Sequence, residues 1–335
     1  MESTQLNIAH TTIRIPGPHA SRRWCSKIVL LLVLSAALAS GAAAIQVQSV
    51  YDCSQDPSYV RFCVLVAPAL SPDGQCVAFE DMTGEVNHLV FSYIHFVGIG
   101  APPCRVSVYP AYVWSAPCQE PAWSLDGSRF AYVVAAFSEQ AGIWAVQAGD
   151  SSYPPTSLVH VASGFYHDPV WSPDGGTIAC TGSGGIYVVP STGGVPSLFA
   201  AGGQSPSWGP DGRIVFARDG DLWIRRSDGN EHQLTRTSEV ETEPAWCPLG
   251  TWIAYVRNQQ IWITASTGGT PVQVTTGSAI AAHPAWSASC GRLAYVTSES
   301  VMGLSTYAIW VATDLPDWTI GVEPRTWSDV KRMYR

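Results

Sequence analysis

Short apolar runs alternate with polar turns along most of this chain. Segments 77–79, 130–133, 178–180, 214–217, 253–256 and 293–296 each hold three or four consecutive apolar or small residues. Runs this brief, bounded by Ser, Pro, Asp and Gly, predict buried β-strands, because an amphipathic helix needs ten or more residues at a 3.6 period. A second apolar anchor follows the later runs: Ile143 with Trp144, Ile186 with Tyr187, Leu222 with Trp223, Ile261 with Trp262, and Ile309 with Trp310. Each pair predicts a third strand. Turns at Gly193 and Gly194, at Asp228 and Gly229, and at Gly268 and Gly269 then precede a fourth, such as 271–275.

The pattern is a repeat with a period of about 40 residues. Each copy opens on a large apolar residue and a tight turn: Leu70 with Asp73 and Gly74, Trp123 with Asp126 and Gly127, Trp171 with Asp174 and Gly175, and Trp208 with Asp211 and Gly212. Two degenerate copies keep Trp246 with Gly250 and Trp286 with Gly291. Ser and Asp hydrogen-bond within such a turn, Pro presets its φ, and Gly takes the left-handed position. Trp144, Trp223, Trp262 and Trp310 recur at the second anchor. Four strands per period, none able to bury both faces alone, predict an all-β, six-bladed propeller of four-stranded antiparallel blades with Trp filling the space between blades. Residues 46–62 are expected to supply a strand that completes the last blade and closes the ring.

The Trp-Ser-Pro-Asp-Gly phrase followed by Ile-Ala-Tyr and Ile-Trp resembles the PD40, or WD40-like, repeat of TolB-type β-propellers and of prolyl oligopeptidase propellers. The resemblance spans roughly residues 60–315 and lacks the N-terminal domain of TolB. It implies a propeller over 45–320 and an envelope role with a partner peptide entering the central channel.

Residues 1–44 have the order of an export signal: a polar stretch with Arg22, Arg23 and Lys27, an apolar run over 28–39, and small residues to Ala44. Arg22 and Arg23 also resemble a twin-arginine signal. An uncleaved anchor over 28–45 is the alternative, and the only expected membrane contact. The expected location is periplasmic or secreted. Residues 321–335 form a tail in which Trp327, Val330 and Met333 would share one side of a short helix.

Composition sharpens the picture. The chain has 14 Trp, 13 Tyr and 30 Gly but only 18 Lys plus Arg against 26 Asp plus Glu, a formal net charge of −8. Without clustered positive charge, nucleic acid is not an expected partner. An exported chain permits disulfides, and Cys53 with Cys63 and Cys104 with Cys118 are the expected pairs, because all four fall in the irregular N-terminal third. Cys180, in an Ile-Ala-Cys strand, is expected to be a small buried hydrophobe.

Catalytic motifs are sparse. There is no G-x-S-x-G elbow, no H-E-x-x-H and no C-x-x-C. No metal and no cofactor is expected. His167, Asp168, Glu241, Glu243 and His283 lie shortly before the repeated Trp, with Glu120 at a comparable place, so they are candidates for the channel mouth. The expected function is a monomeric, non-catalytic scaffold binding a protein, peptide or other ligand in the envelope or outside the cell. The alternative is a propeller-based polysaccharide lyase or hydrolase using those His and acidic groups.

Overall fold

The computed structural model describes residues 5–8, 11–14, 46–52, 65–81, 85–86, 89–90, 93–98, 118–135, 141–148, 150, 157–301 and 304–313. The expected tail helix, most of the expected export segment, and Cys53, Cys63 and Cys104 lie outside the described residues. The chain divides into Met1–Ala44 and Ile45–Arg335. Within the former, Gln5–Ile8 pairs antiparallel with Thr11–Arg14.

The larger unit is an all-β propeller of four-stranded antiparallel blades. A first sheet has three described strands, Leu65–Leu70, Cys76–Asp81 and Tyr93–Gly98. Four consecutive four-stranded sheets follow. Their innermost strands are Cys118–Trp123, His167–Trp171, Gln204–Trp208 and Glu241–Trp246, and we call these the second to fifth sheets. The sixth takes Ile280–Trp286, Leu293–Val301 and Leu304–Thr313, and its outer strand is Gln46–Asp52 from the start of the unit. Tyr51 pairs with Ile309 and Gln46 with Thr313, so the two ends of the unit are joined by a backbone ladder.

The core lies between sheets. Ala131, Val133 and Ile143 of the second sheet pack on Trp171, Ile178 and Cys180 of the third. Val215, Leu222 and Ile224 of the fourth pack on Trp246, Ile253 and Tyr255 of the fifth. Leu70, Val77 and Phe79 of the first pack on Ala294, Val296 and Ile309 of the sixth, so the innermost strands contact one another in a closed cycle. The second strand of each sheet is the most apolar because neighbours cover both its faces, as at 214–217, where all four residues are buried.

The repeated turn has the predicted chemistry. In the first three copies the Ser hydroxyl donates to the Asp carboxylate at 2.5–2.6 Å, from Ser71 to Asp73, Ser124 to Asp126 and Ser172 to Asp174. The same carboxylates accept the backbone N–H of Gln75, Ser128 and Gly176. Gly74, Gly127, Gly175, Gly212 and Gly250 all have positive φ. The last copy differs from expectation. Cys290, at φ 57°, takes the left-handed place that Gly291 was expected to fill.

The disulfide expectation is corrected as well. Cys118 is buried as a thiol in the innermost strand of the second sheet, which excludes its pairing with Cys104. A disulfide instead joins Cys247 to Cys290, with Cα atoms 5.6 Å apart, and Cys76 is also disulfide-bonded. Cys247 and Cys290 sit in equivalent turns of the fifth and sixth sheets, where the Ser-to-Asp bond has been lost to Cys247 with Leu249 and to Ser289. Cys180 is fully buried, and burial pushes its thiol up to about 12.

Candidate functional site

One dipeptide organises the centre of the molecule. Two positions before each repeated Trp or Leu stands a proline: Pro68, Pro121, Pro169, Pro206, Pro244 and Pro284. The residue before each proline has left-handed backbone, with φ of 49–55° at Ala67, Glu120, Asp168, Ser205, Glu243 and His283. Each dipeptide also falls at a break in strand register, for example between Thr242 and Ala245 and between Ala282 and Ala285. The proline offers no N–H to the ladder and the extra residue bulges out, so the bulge re-aims one side chain per strand. A left-handed non-Gly residue costs about 1 kcal/mol or more. Here the six-fold recurrence gives the strain an architectural cause.

These strands enclose a cavity of about 290 Å³. One end is lined by the six left-handed residues. The opposite end is lined by Pro72, Leu125, Pro173, Pro210, Pro248 and Ala288 from the turns, with the Trp residues between. The channel therefore has a polar mouth and an apolar base. Among the described residues its lining holds three carboxylates, Glu120, Asp168 and Glu243, one imidazole, His283, and no Lys or Arg.

The mouth groups are tied from sheet to sheet. The Asp168 backbone N–H donates to Glu120 Oε2 at 2.6 Å, and the His283 N–H donates to Glu243 Oε2 at 2.7 Å. These are equivalent links, from a left-handed carboxylate to the left-handed residue of the next strand. Asp168 Oδ2 accepts from Thr181 Oγ1 at 3.0 Å and Ser205 Oγ at 3.3 Å, while the Ser205 N–H donates to Thr181 Oγ1. Burial, followed by the nearby Glu120 charge, raises the Asp168 pKa. His167 Nδ1 lies 3.4 Å from Glu120 Oε1, and His283 Nδ1 lies 3.3 Å from Glu243 Oε2. The bond to Glu120 raises the His167 pKa.

Of the five residues singled out in the sequence, Asp168, Glu243 and His283 line the cavity. His167 stands beside it, over half exposed, reaching Glu120. Glu241 does not belong to the mouth. It is fully buried, its N–H donates to the Gly220 carbonyl, and Oε1 accepts from Thr237 Oγ1 at 3.2 Å. Alternation would put Glu241 and Glu243 on one side of the strand, and the left-handed bulge at Glu243 breaks that alternation. Burial raises the Glu241 pKa. Sequence reasoning missed Ala67 and Ser205. The recurring proline was the available signal.

Among the described residues, no group of three or more His, Cys, Asp or Glu side chains converges as a metal-binding set. Arg61 and Arg105 lie outside the described residues.

Comparison with known proteins agrees with the architecture. Residues 237–314 match the model of the dipeptidyl peptidase IV N-terminal region. XC5397 of Xanthomonas campestris, described as a gluconolactonase, is 11% identical over 83% of this chain and 92% of that one, with a TM-score of 0.53. A putative TolB from Agrobacterium tumefaciens is 26% identical over 53% of this chain and 68% of its own, with a TM-score of 0.45. The likeness to XC5397 supports the propeller fold.

Proposed function

We propose that this chain is an exported, six-bladed propeller of the PD40-repeat type that serves as a non-catalytic binding scaffold in the cell envelope or outside the cell. The first sheet, with three described strands, is the sixth blade in this reading, because its innermost strand sits in the cycle with the other five. One observation carries the scaffold reading. Glu120 and Glu243 hold the backbone N–H of the neighbouring blade, so these carboxylates serve to fix the mouth's shape. A fixed, partly apolar opening suits recognition of a protein or peptide partner. Residues 1–44 direct export in this reading, either as a cleaved leader or as an anchor through 28–45.

The test is site-specific photo-crosslinking in cells with a photoreactive residue at Ser205. The scaffold reading expects a discrete adduct that is absent when the same group is placed at Leu198 on the outer edge of the third sheet. Equal labelling at both positions overturns it.

The His167–Glu120 and His283–Glu243 pairs favour a second reading, acid–base chemistry on a polysaccharide. Release of reducing ends or unsaturated sugars that is lost in both His167→Ala and His283→Ala would replace the scaffold reading.

A further inference from the structure

Three of the five large hydrophobic residues exposed among the described residues occupy one position of the repeat. Phe165, Val240 and Ile280 are 66%, 64% and 42% exposed, and each stands three residues before a mouth residue, Asp168, Glu243 and His283 respectively. The equivalent residue of the fourth sheet is Gly202. Equivalent positions in successive blades open on the same face, so these side chains stand at the mouth end of their strands. The other two, Val195 and Leu198, lie together at the outer edge of the third sheet and have no such relation.

The mouth has its own pattern. In the cycle of sheets, the second is three places from the fifth and the third is three places from the sixth. The Glu120–His167 link and the Glu243–His283 link therefore face each other across the opening. The two remaining positions, also three places apart, carry the small residues Ala67 and Ser205. The opening is thus a slot with acidic walls and low sills. A cavity of about 290 Å³ lies at the lower limit for a small-molecule site and suits one inserted side chain. Three carboxylates, with no Lys or Arg among the described lining residues, make that side chain a cation.

We propose that the mouth receives a Lys or Arg side chain carried on an extended apolar segment of a partner protein, which crosses the slot over Ala67 and Ser205 and packs its flanking side chains on Phe165, Val240 and Ile280. This rests on the scaffold reading and adds the chemistry of the partner. Glu120 and Glu243, each anchored by a backbone N–H, are already in place when the cation arrives, so little ordering is required on binding. His167 bonds Glu120, which raises the His167 pKa, and burial followed by the Glu120 charge raises that of Asp168; protonating either weakens the field that attracts the cation.

Fluorescence anisotropy with the full chain tests the proposal. The probes are fluorescein-labelled Ser-Leu-Val-Lys-Val-Leu-Ser and its counterparts with norleucine or Glu at the centre. The lysine peptide is expected to bind about 10-fold more tightly than the norleucine peptide, the range expected for one charge-assisted contact, and the Glu peptide not at all. The lysine preference should shrink at 0.5 M salt and at pH 5. It should vanish in Glu120→Gln/Glu243→Gln, where the amide oxygen still accepts the backbone N–H and near-UV circular dichroism reports the fold. Val240→Ser/Ile280→Ser should weaken the lysine and norleucine peptides by the same factor. Equal binding of the lysine and norleucine peptides, or a preference that survives the double Gln variant, overturns the cationic anchor and leaves the scaffold intact. Failure of all three peptides to bind also overturns it, and crosslinking at Ser205 then decides the scaffold separately.

Discussion

Single residues here do one of two opposite things to a carboxylate. Asp174 accepts from the Ser172 hydroxyl and the Gly176 N–H, which holds its pKa below the usual value. Glu241 is buried, which pushes its pKa up. The signs follow from linkage. Asp174 contributes stability above its unfolded pKa, and this is lost as pH falls through the lower folded value. Glu241 costs stability as pH rises from about 4.5 through its raised folded value. Glu241→Gln, which keeps an acceptor for Thr237, is therefore expected to stabilise the fold at pH 8 and to leave it unchanged near pH 4. Urea midpoints at the two pH values check this, and a destabilised variant at pH 8 would contradict it. Gly142, at φ 144°, makes a different demand, since a Cβ there would stand 1.9 Å from the Ala162 carbonyl oxygen. Gly142→Ala should cost about 2–3 kcal/mol, because the two outer strands of the second sheet must separate to admit it.

At the scale of elements, four of the junctions between sheets show, among the described residues, a fastening across equivalent turns. Arg129 lies over the Trp171 ring at 4.4 Å and donates to the Gly175 carbonyl. Arg213 lies over Trp246 at 4.9 Å, and Arg292 reaches the Gly74 carbonyl of the first sheet. The fifth and sixth sheets use the Cys247–Cys290 disulfide instead. Replacing both cysteines by Ser should lower stability by about 2–4 kcal/mol. Urea melts with and without reductant test this: reductant, which also opens the Cys76 bond, should bring parent and variant to the same midpoint, and a variant as stable as the oxidised parent would refute the assignment. The repeat made the turns, the second-strand cores and the Trp positions legible, because each is dictated by residues close in sequence. It did not make the disulfide legible. Cys247 and Cys290 are 43 residues apart, and only the stacking of two sheets brings their turns together.

For the whole molecule, closure depends on one strand. Gln46–Asp52 covers the edge of Leu304–Thr313, and its removal would expose that long strand's unpaired N–H and C=O groups. A chain starting after Asp52 is expected to lose cooperative thermal unfolding and to associate, as read by calorimetry and size-exclusion chromatography. A monomer with an unchanged transition would show that the ring closes by packing alone. The sequence by itself determined the strand pattern, the turn chemistry and the propeller class, because a repeated local phrase imposes the same local geometry in every copy. It also brought out Asp168, Glu243 and His283, which stand at one step of that phrase. Only the tertiary structure decided that Glu241 is buried while Glu243 faces the channel, and that Ala67 and Ser205 complete the mouth. A left-handed bulge reverses the alternation of side chains within two residues, and the cycle of sheets sets which distant copies are opposite. Neither follows from spacing along the chain.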